Sequence, residues 1–271
     1  MNKEKFSYIL LQRLDNNGLL GEYMKIVVCV NHVPDTATKV NISSDQKSIN
    51  QDGVIYVVNP YDEYAIEEAL KTKENIGGEV IAISLGGENN KDSLRKALAM
   101  GVDEAILLKT EQETDSISTA SSLADEIRNQ GAEIVFMGKQ SVDYDNSITS
   151  QLTAAMLGFN SVSVVVALTI DGNKIRAERE IEGGKEVVET TLPVIISTQK
   201  GLNNPRFPSM KGIMTAKKKV IVEKSIELDN LTTKVISMRK PIAKEFGKII
   251  GEDTSAVPEL LRLLKDEAKV I

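Results

Sequence analysis

The sequence has very little of the residues on which disulfide and metal chemistry depend. Its 271 residues include one cysteine, Cys29, and one histidine, His32. A single cysteine excludes an intramolecular disulfide and a cysteine metal cage, and a single histidine excludes a multi-histidine metal site. Because Cys29 lies in an apolar strand pattern, we predict an inert core thiol. These features predict a cytoplasmic protein without a metal site.

Long hydrophobic runs and an excess of positive charge are also missing. No apolar run approaches the roughly 20 residues that cross a bilayer, so we expect a soluble protein without membrane insertion. The net charge of −6 argues against general affinity for nucleic acid. The basic run at 217–219 is interpreted as a solvated edge, with a nucleic-acid patch as the alternative. The absence of a Gly-x-Gly-x-x-Gly or Walker-type loop excludes a standard dinucleotide or P-loop domain.

From Met24 onward, short apolar strands alternate with amphipathic helices. Strands are predicted over 26–30, 80–85, 105–108 and 134–137. Because these runs carry no polar alternation, both faces of their sheet must be covered by helices. A hairpin around Asp52-Gly53 is predicted as an insertion before the first helix, which begins at Asn59-Pro60. The predicted fold class is α/β, with a mostly parallel, doubly wound sheet.

Three segments follow from this pattern. Residues 1–23 are predicted to be an N-terminal extension, and Gln12 and Arg13 interrupt any signal-peptide core. Residues 24–198 form the α/β domain, which hairpins after Gly158 close with antiparallel strands. Residues 199–271 are predicted to be a recognition arm and a C-terminal tail that pack on the partner subunit. They comprise a long structureless arm over 199–216, an irregular tail and a last helix. The leucine stripe of that helix is as well suited to packing on a partner as on its own domain.

The stretch 138–151 is the candidate binding site. It joins a buried strand to a helix, which is the place where α/β sheets bind ligands. Asn146 and Ser147 are predicted N-caps, and Ser147, Thr149 and Ser150 add hydroxyl groups beside backbone N–H groups that lack partners within the helix. Together with the helix dipole, these donors favour an anion such as a phosphate.

Five stretches resemble the small (beta) subunit of electron-transfer flavoproteins, and the resemblance covers residues 24–271. They are 33–36, 59–70, 138–145, the family's signature segment 179–184 running on to Pro193, and 202–207 followed by 216–219. The resemblance implies an adenine-nucleotide alpha-hydrolase-like fold, a heterodimer with the alpha subunit, and an adenine nucleotide at the strand ends. In respiratory members this nucleotide is AMP; in electron-bifurcating members it is half of a second FAD. The turn at 34–36 and the helix start at 59–62 resemble the bifurcating branch.

The resemblance also implies which residues bind the cofactor. Asn59 and Asp62, with Cys29 and Val30, are expected beside the adenine and ribose. Asp143 and Asp145 are poor phosphate ligands, because carboxylates repel a diphosphate; they suit ribose hydroxyls or Asx turns. Lys139 either offsets phosphate charge or points to solvent. The expected cofactor-binding residues are Cys29, Val30, Asn59, Asp62, Leu85, Gln140, Asp143, Asp145, Asn146, Ser147, Ile148, Thr149, Ser150 and Gln151.

The resemblance implies electron transfer in which the chain supplies no catalytic residue, because the flavin carries the chemistry. NADH, as a transient substrate, is expected to reduce the flavin, and electrons then pass to ferredoxin and, through the alpha subunit, to an acyl-CoA dehydrogenase-type flavoenzyme. Leu202, Asn203, Pro205 and Arg206 are expected to bind that flavoenzyme. Leu202 is either its apolar anchor or a loop leucine folded back on its own domain. Two alternatives stay open: an AMP-binding subunit without bifurcation, and a stand-alone nucleotide sensor.

Overall fold

The computed structural model describes residues 24–228, 231–243 and 246–271. The chain divides into two units, Met1–Asn41 with Asn50–Val235, and Ile42–Ile49 with Ile236–Ile271. The predicted extension at 1–23 lies outside the described residues. In the part of the chain that is described, no helix combines the length and the apolar character that crossing a membrane requires.

The described elements alternate strand and helix through most of the chain. The strands are β1 (Lys25–Cys29), β2 (His32–Pro34), β3 (Asn41–Ile42), β4 (Ile49–Asn50), β5 (Tyr56–Val58), β6 (Glu79–Gly86), β7 (Glu104–Lys109), β8 (Ile134–Gly138), β9 (Asn160–Asp171), β10 (Lys174–Ile181), β11 (Gly184–Thr191), β12 (Val194–Thr198) and β13 (Ile221–Ser225). The α-helices are α1 (Pro60–Ile76), α2 (Asn90–Met100), α3 (Ser116–Gln130), α4 (Thr149–Leu157), α5 (Met210–Lys218) and α6 (Val257–Arg262). A 3-10 turn, Thr254–Ala256, precedes α6, and a π-helical turn, Leu263–Glu267, follows it.

Nine strands form one sheet in the order β11-β10-β9-β12-β8-β1-β6-β7-β13. β1 pairs in parallel with both β6 and β8, whereas β10 pairs antiparallel with β9 and β11. Apolar side chains cover both faces: Ile26 and Val28 pack with α1 and α2, and Val27 and Cys29 pack with α3 and α4. The predicted α/β class with a mostly parallel, doubly wound sheet is confirmed.

Two local predictions differ from the structure. The strand predicted after Asp52-Gly53 exists as β5, but it pairs antiparallel with β2, and His32 stacks on Tyr56 with ring centroids 5.0 Å apart. The prediction of a structureless arm through residue 216 is wrong, because α5 begins at Met210. Ser209 caps this helix by accepting a hydrogen bond from the Gly212 N–H at 3.0 Å.

The end of α5 is tied to α2, which explains why this polar segment is helical. The Arg95 guanidinium of α2 donates to the carbonyl oxygen of Lys219 at 2.6 Å and also to that of Ala216. In return, the Lys219 amine donates to the carbonyl oxygens of Val102 and Asp103, at 2.8 Å each. Tertiary contacts therefore determine the helix where the local sequence favours a loop.

Candidate functional site

The candidate site lies where the strand order of the sheet reverses. The chain passes from β1 to β6 on one side, and β8 later pairs on the other side of β1. In open α/β sheets, ligands bind outside the carboxyl ends of the strands at such a switch point. Cys29 ends β1, Val30 follows it, and Leu85 lies near the end of β6. The loop 138–151 leaves the end of β8 at the same edge.

Asp62 ties the ends of β1 and β8 together. Its buried carboxylate accepts the backbone N–H of Asn31 at 2.8 Å and the backbone N–H of Gly138 at 3.1 Å. Burial raises the pKa of Asp62 to about 7, although these two N–H donors favour its charged form. Gly138 is required by this close approach, because a Cβ there would lie 2.8 Å from the Cβ of Tyr61. The carboxylate therefore fixes the start of the loop.

Asn59 holds the next part of the loop. It occupies the predicted N-cap position of α1, but its side chain makes no cap bond to the helix among the residues described. Its amide instead donates to the Gln140 carbonyl oxygen at 2.9 Å and accepts the Val142 N–H at 3.3 Å. The amide nitrogen and the amide oxygen of the buried Asn59 side chain thus both hold the loop.

Asn31 is a site residue that the sequence analysis missed. Its side-chain amide donates to the Ser141 hydroxyl at 2.8 Å and to the Asp143 carboxylate at 3.2 Å. Asp143 also accepts the Tyr144 N–H at 2.8 Å, and Asp145 accepts a hydrogen bond from the Gln140 amide. Both aspartates thus bond to neighbouring groups, but none of these bonds is to a backbone N–H two residues on, as an Asx turn requires. An amide side chain directly after a buried strand was the available signal for Asn31.

The helix after the loop begins one or two residues later than predicted. Ile148, not Asn146 or Ser147, occupies the N-cap position of α4, so those N-cap predictions are wrong. Asn146 instead donates to the Ser116 hydroxyl at 2.8 Å, and Ser147 donates to the Gln140 amide oxygen at 3.1 Å. Ser147 has a positive φ of 48°, which is uncommon for a residue other than glycine.

The first turn of α4 consequently keeps free anion-binding capacity. Within the described part of the chain, no side chain caps the helix at Ile148. The amides of the first turn have no partners inside a helix, and they carry the positive end of its dipole. Thr149 and Gln151 are half-buried there, and the Ser150 hydroxyl, which is buried, donates to the Gln151 amide oxygen at 2.7 Å. This geometry suits a phosphate group.

A buried hydroxyl beside α4 was also missed. Ser197 of β12 is fully buried, and its Oγ has no hydrogen-bond partner among the described residues. It follows Ile195 by two residues and so shares the sheet face that α3 and α4 cover. By contrast, the hydroxyl of Thr198 donates to the carbonyl oxygens of Tyr61 at 3.1 Å and Met137 at 3.2 Å. Buried polar atoms are rarely unpaired, so the Ser197 hydroxyl is consistent with a polar ligand nearby.

The remaining side chains at this edge offer no acid, base or metal chemistry. Cys29 is buried, and burial with the nearby Asp62 charge raises its thiol pKa, as expected of an inert core thiol. The Lys139 amine lies 5.0 Å from the centre of the Tyr61 ring, a cation–π contact rather than a solvated position. The described residues contain no group of three or more His, Cys, Asp or Glu side chains that could hold a metal ion.

Two of the four predicted partner-binding residues, Asn203 and Arg206, contact α1. Leu202 is half-buried against the core, and the Asn203 amide donates to the Tyr64 carbonyl at 3.0 Å and to Glu68 at 2.9 Å. Arg206 forms an ion pair with the buried Glu67 at 2.8 Å. Pro205, between them, is half-buried. Leu202 therefore contacts its own domain, and its role as a partner anchor stays a prediction.

Comparison with known proteins agrees with this geometry. A family model described as electron transfer flavoprotein domain matches residues 47–228. The chain is 38% identical over 261 residues to the electron transfer flavoprotein subunit beta of Bacillus subtilis, covering 92% of this chain and 100% of the relative. It is 36% identical over 258 residues to the mitochondrial subunit beta of Arabidopsis thaliana, with 92% and 100% covered. For the human subunit beta the identity is 35% over 246 residues, with 88% and 96% covered. The chain belongs to the electron transfer flavoprotein beta subunit family.

Proposed function

We propose that this chain binds FAD through its adenine nucleotide half, at the carboxyl ends of β1, β6 and β8. The observation that carries the proposal is the arrangement of the loop 138–151. Asn31, Asn59 and Asp62 hold this loop from its inner side. Among the described residues, none of these side chains caps α4, whose first amides stay available for an anion.

The polar groups around α4 fit the diphosphate of such a nucleotide. The amides of Thr149, Ser150 and Gln151 provide donors, and the hydroxyls of Ser147 and Ser197 are proposed as further donors to the phosphates. Val30 and Leu85, at the adjacent strand ends, are proposed to lie beside the adenine. The bound flavin supplies the electron chemistry, while these residues fix its position and exclude water. The chain itself provides no catalytic residue.

The wider proposal is that the chain works with an alpha subunit in electron bifurcation. The assembly would accept electrons from NADH and deliver them to ferredoxin and to an acyl-CoA dehydrogenase-type flavoenzyme. The turn at 34–36 and the helix start at 59–62 support this branch, because both resemble its members. Leu202, Asn203, Pro205 and Arg206 are proposed to contact the flavoenzyme. The side chain of Phe207, beside them, is 95% exposed, which supports a contact surface in this region.

The test is the nucleotide content of the purified heterodimer with its alpha subunit. A visible spectrum and the released nucleotides are quantified per heterodimer. Two flavins, and no AMP, are expected. One flavin with one AMP would exclude bifurcation and identify the AMP-binding alternative. A heterodimer that carries no adenine nucleotide on this chain would overturn the proposed site, and a chain that binds nucleotide but forms no heterodimer would be a stand-alone sensor.

A further inference from the structure

Asp115 uses its two carboxylate oxygens for two different purposes. Oδ1 accepts the Ser118 N–H at 2.8 Å, and the Ser118 hydroxyl accepts the Asp115 N–H at 3.0 Å, which closes a capping box on α3. Oδ2 accepts the backbone N–H groups of Thr232 at 2.8 Å and Thr233 at 3.0 Å. The hydroxyls of these threonines also donate to Oδ2, at 2.7 Å and 3.4 Å. A helix cap needs only the first oxygen.

The second oxygen completes a series of contacts that guides the chain after its last sheet strand. The Ile226 N–H donates to the Lys109 carbonyl at 3.0 Å, and the Leu228 N–H donates to the Gln112 amide oxygen at 2.7 Å. Asp115 then holds Thr232 and Thr233. Residues 226, 228, 232 and 233 therefore each contact the end of β7, the loop between β7 and α3, or the N-cap of α3. The first unit ends two residues later, at Val235.

This series of contacts ends at the edge of the sheet that carries the candidate site. Ser116, the next residue after Asp115, accepts the side-chain hydrogen bond from Asn146 of the loop 138–151. The two residues at the start of α3 thus hold both the loop and the beginning of the tail. The donors around Asp115, of which the Ser118 N–H is foremost, keep its pKa well below the usual range, so the carboxylate stays charged.

We propose that Asp115 is a positioning residue for the alpha subunit, because its Oδ2 holds Thr232 and Thr233, which closely precede the tail 236–271. This inference rests on the proposed function, in which the chain works with an alpha subunit, and on the prediction that the tail packs on that subunit. The tail carries large apolar side chains that are mostly exposed in this chain: Ile236, Ile242, Phe246 and Ile249. An apolar surface on the alpha subunit is the occupant that suits them. A tail whose first residues are already ordered loses less conformational entropy when it binds.

Asp115→Asn separates the two purposes of the carboxylate. Asparagine is as good an N-cap as aspartate, so the bond from the Ser118 N–H is retained. Its single amide oxygen cannot also accept the N–H groups of Thr232 and Thr233, because the other atom is now a donor. We expect amide hydrogen exchange at 231–235 to rise at least about tenfold, with exchange within α3 unchanged. The Kd for the alpha subunit is expected to rise at least about tenfold.

Two further variants make the test specific. Asp125→Asn alters an exposed carboxylate on α3 and should change neither the exchange at 231–235 nor the Kd. The double variant Thr232→Val, Thr233→Val removes the two hydroxyl donors but leaves the Asp115 cap intact. It should raise the Kd severalfold, in the same direction as Asp115→Asn. If Asp115→Asn fails to fold, the double variant tests the same contact without changing the helix cap.

Three results would overturn the proposal. One is an unchanged Kd for the alpha subunit in Asp115→Asn or, should that variant fail to fold, in the double variant. Another is faster exchange throughout α3 in Asp115→Asn, which would make Asp115 only a helix cap. The third is a higher Kd without faster exchange at 231–235. The nucleotide content of the wild-type heterodimer is measured separately. If the wild-type heterodimer carries no adenine nucleotide, the proposed cofactor site is wrong. The comparison of Kd values between variant and wild type still tests the role of Asp115.

Discussion

Asp62→Asn is expected to change how the stability of this protein depends on pH. The Asp62 carboxyl is only 6% exposed, and it accepts the backbone N–H groups of Asn31 and Gly138. Despite these two donors, burial dominates and raises its pKa. The folded protein therefore holds a proton on Asp62 at pH values where the unfolded chain has already lost it.

The size and the sign of the effect follow from this shift. The pKa rises from 3.8 to about 7, and each pKa unit corresponds to about 1.4 kcal/mol. Because the folded pKa is raised, the contribution of Asp62 to stability is greatest below about pH 4. This contribution decreases as the pH rises through the folded pKa of about 7. Between about pH 4.5 and about pH 7.5 the free energy of unfolding therefore loses about 3 kcal/mol. Asparagine does not titrate, so the variant lacks this loss.

Urea unfolding of both proteins at the two pH values measures the effect. The free energy of unfolding of Asp62→Asn, minus that of the wild type, should rise by about 3 kcal/mol from the lower to the higher pH. Taking this difference cancels the contributions of the other carboxyl groups. Gly184→Ala, which changes no titratable group and meets no atom within 4 Å, serves as the control and should give a constant difference. Parallel pH profiles for Asp62→Asn and wild type would refute the account of Asp62 as a buried, proton-binding clamp.

Two further variants test the site itself. Gly138→Ala places a Cβ 2.8 Å from the Cβ of Tyr61. It should therefore lower the free energy of unfolding by about 2 kcal/mol and reduce the amount of bound nucleotide. The control Gly184→Ala, whose Cβ meets no atom within 4 Å, should change neither quantity. Ser197→Ala removes a buried hydroxyl without a partner among the described residues, so it should leave stability unchanged while raising the Kd for AMP about tenfold. Thr198→Val should instead destabilise the fold by about 1 to 2 kcal/mol, because that hydroxyl is bonded. Equal effects of the serine and threonine changes on AMP binding would contradict the assignment of Ser197.

The parallel sheet could be predicted from the sequence because burial on both faces leaves a direct signal. The run Ile134–Met137 is apolar at every position, and each of these side chains is buried in the structure. The place of the loop 138–151 at the end of β8 also followed, since a strand that ends in a polar loop marks the carboxyl edge of such a sheet. These predictions depend on local composition alone.

The details of the site depended on contacts that local sequence does not contain. Asn59 looks like a helix cap in sequence, yet its amide bonds to loop residues more than 80 positions away. Asn31 acquires its role from Ser141 and Asp143, more than 100 positions away, and its place after a buried strand was the only local signal. Ser197 is an ordinary strand residue in sequence, and no local pattern distinguishes it. For the same reason α5 was missed, because Arg95, from a distant helix, fixes the end of that helix. Pairings of this kind become visible only when the chain is folded.

The most direct test of the central claim is to add AMP to the nucleotide-free heterodimer and follow amide hydrogen exchange. The account predicts that protection rises in the loop 138–151, above all at Thr149, Ser150 and Gln151 at the start of α4, and at Asn31 beside it. The exchange of α5 and of β13 should stay the same. Protection elsewhere on the chain, or none at saturating AMP, would contradict a nucleotide site at the carboxyl ends of β1, β6 and β8.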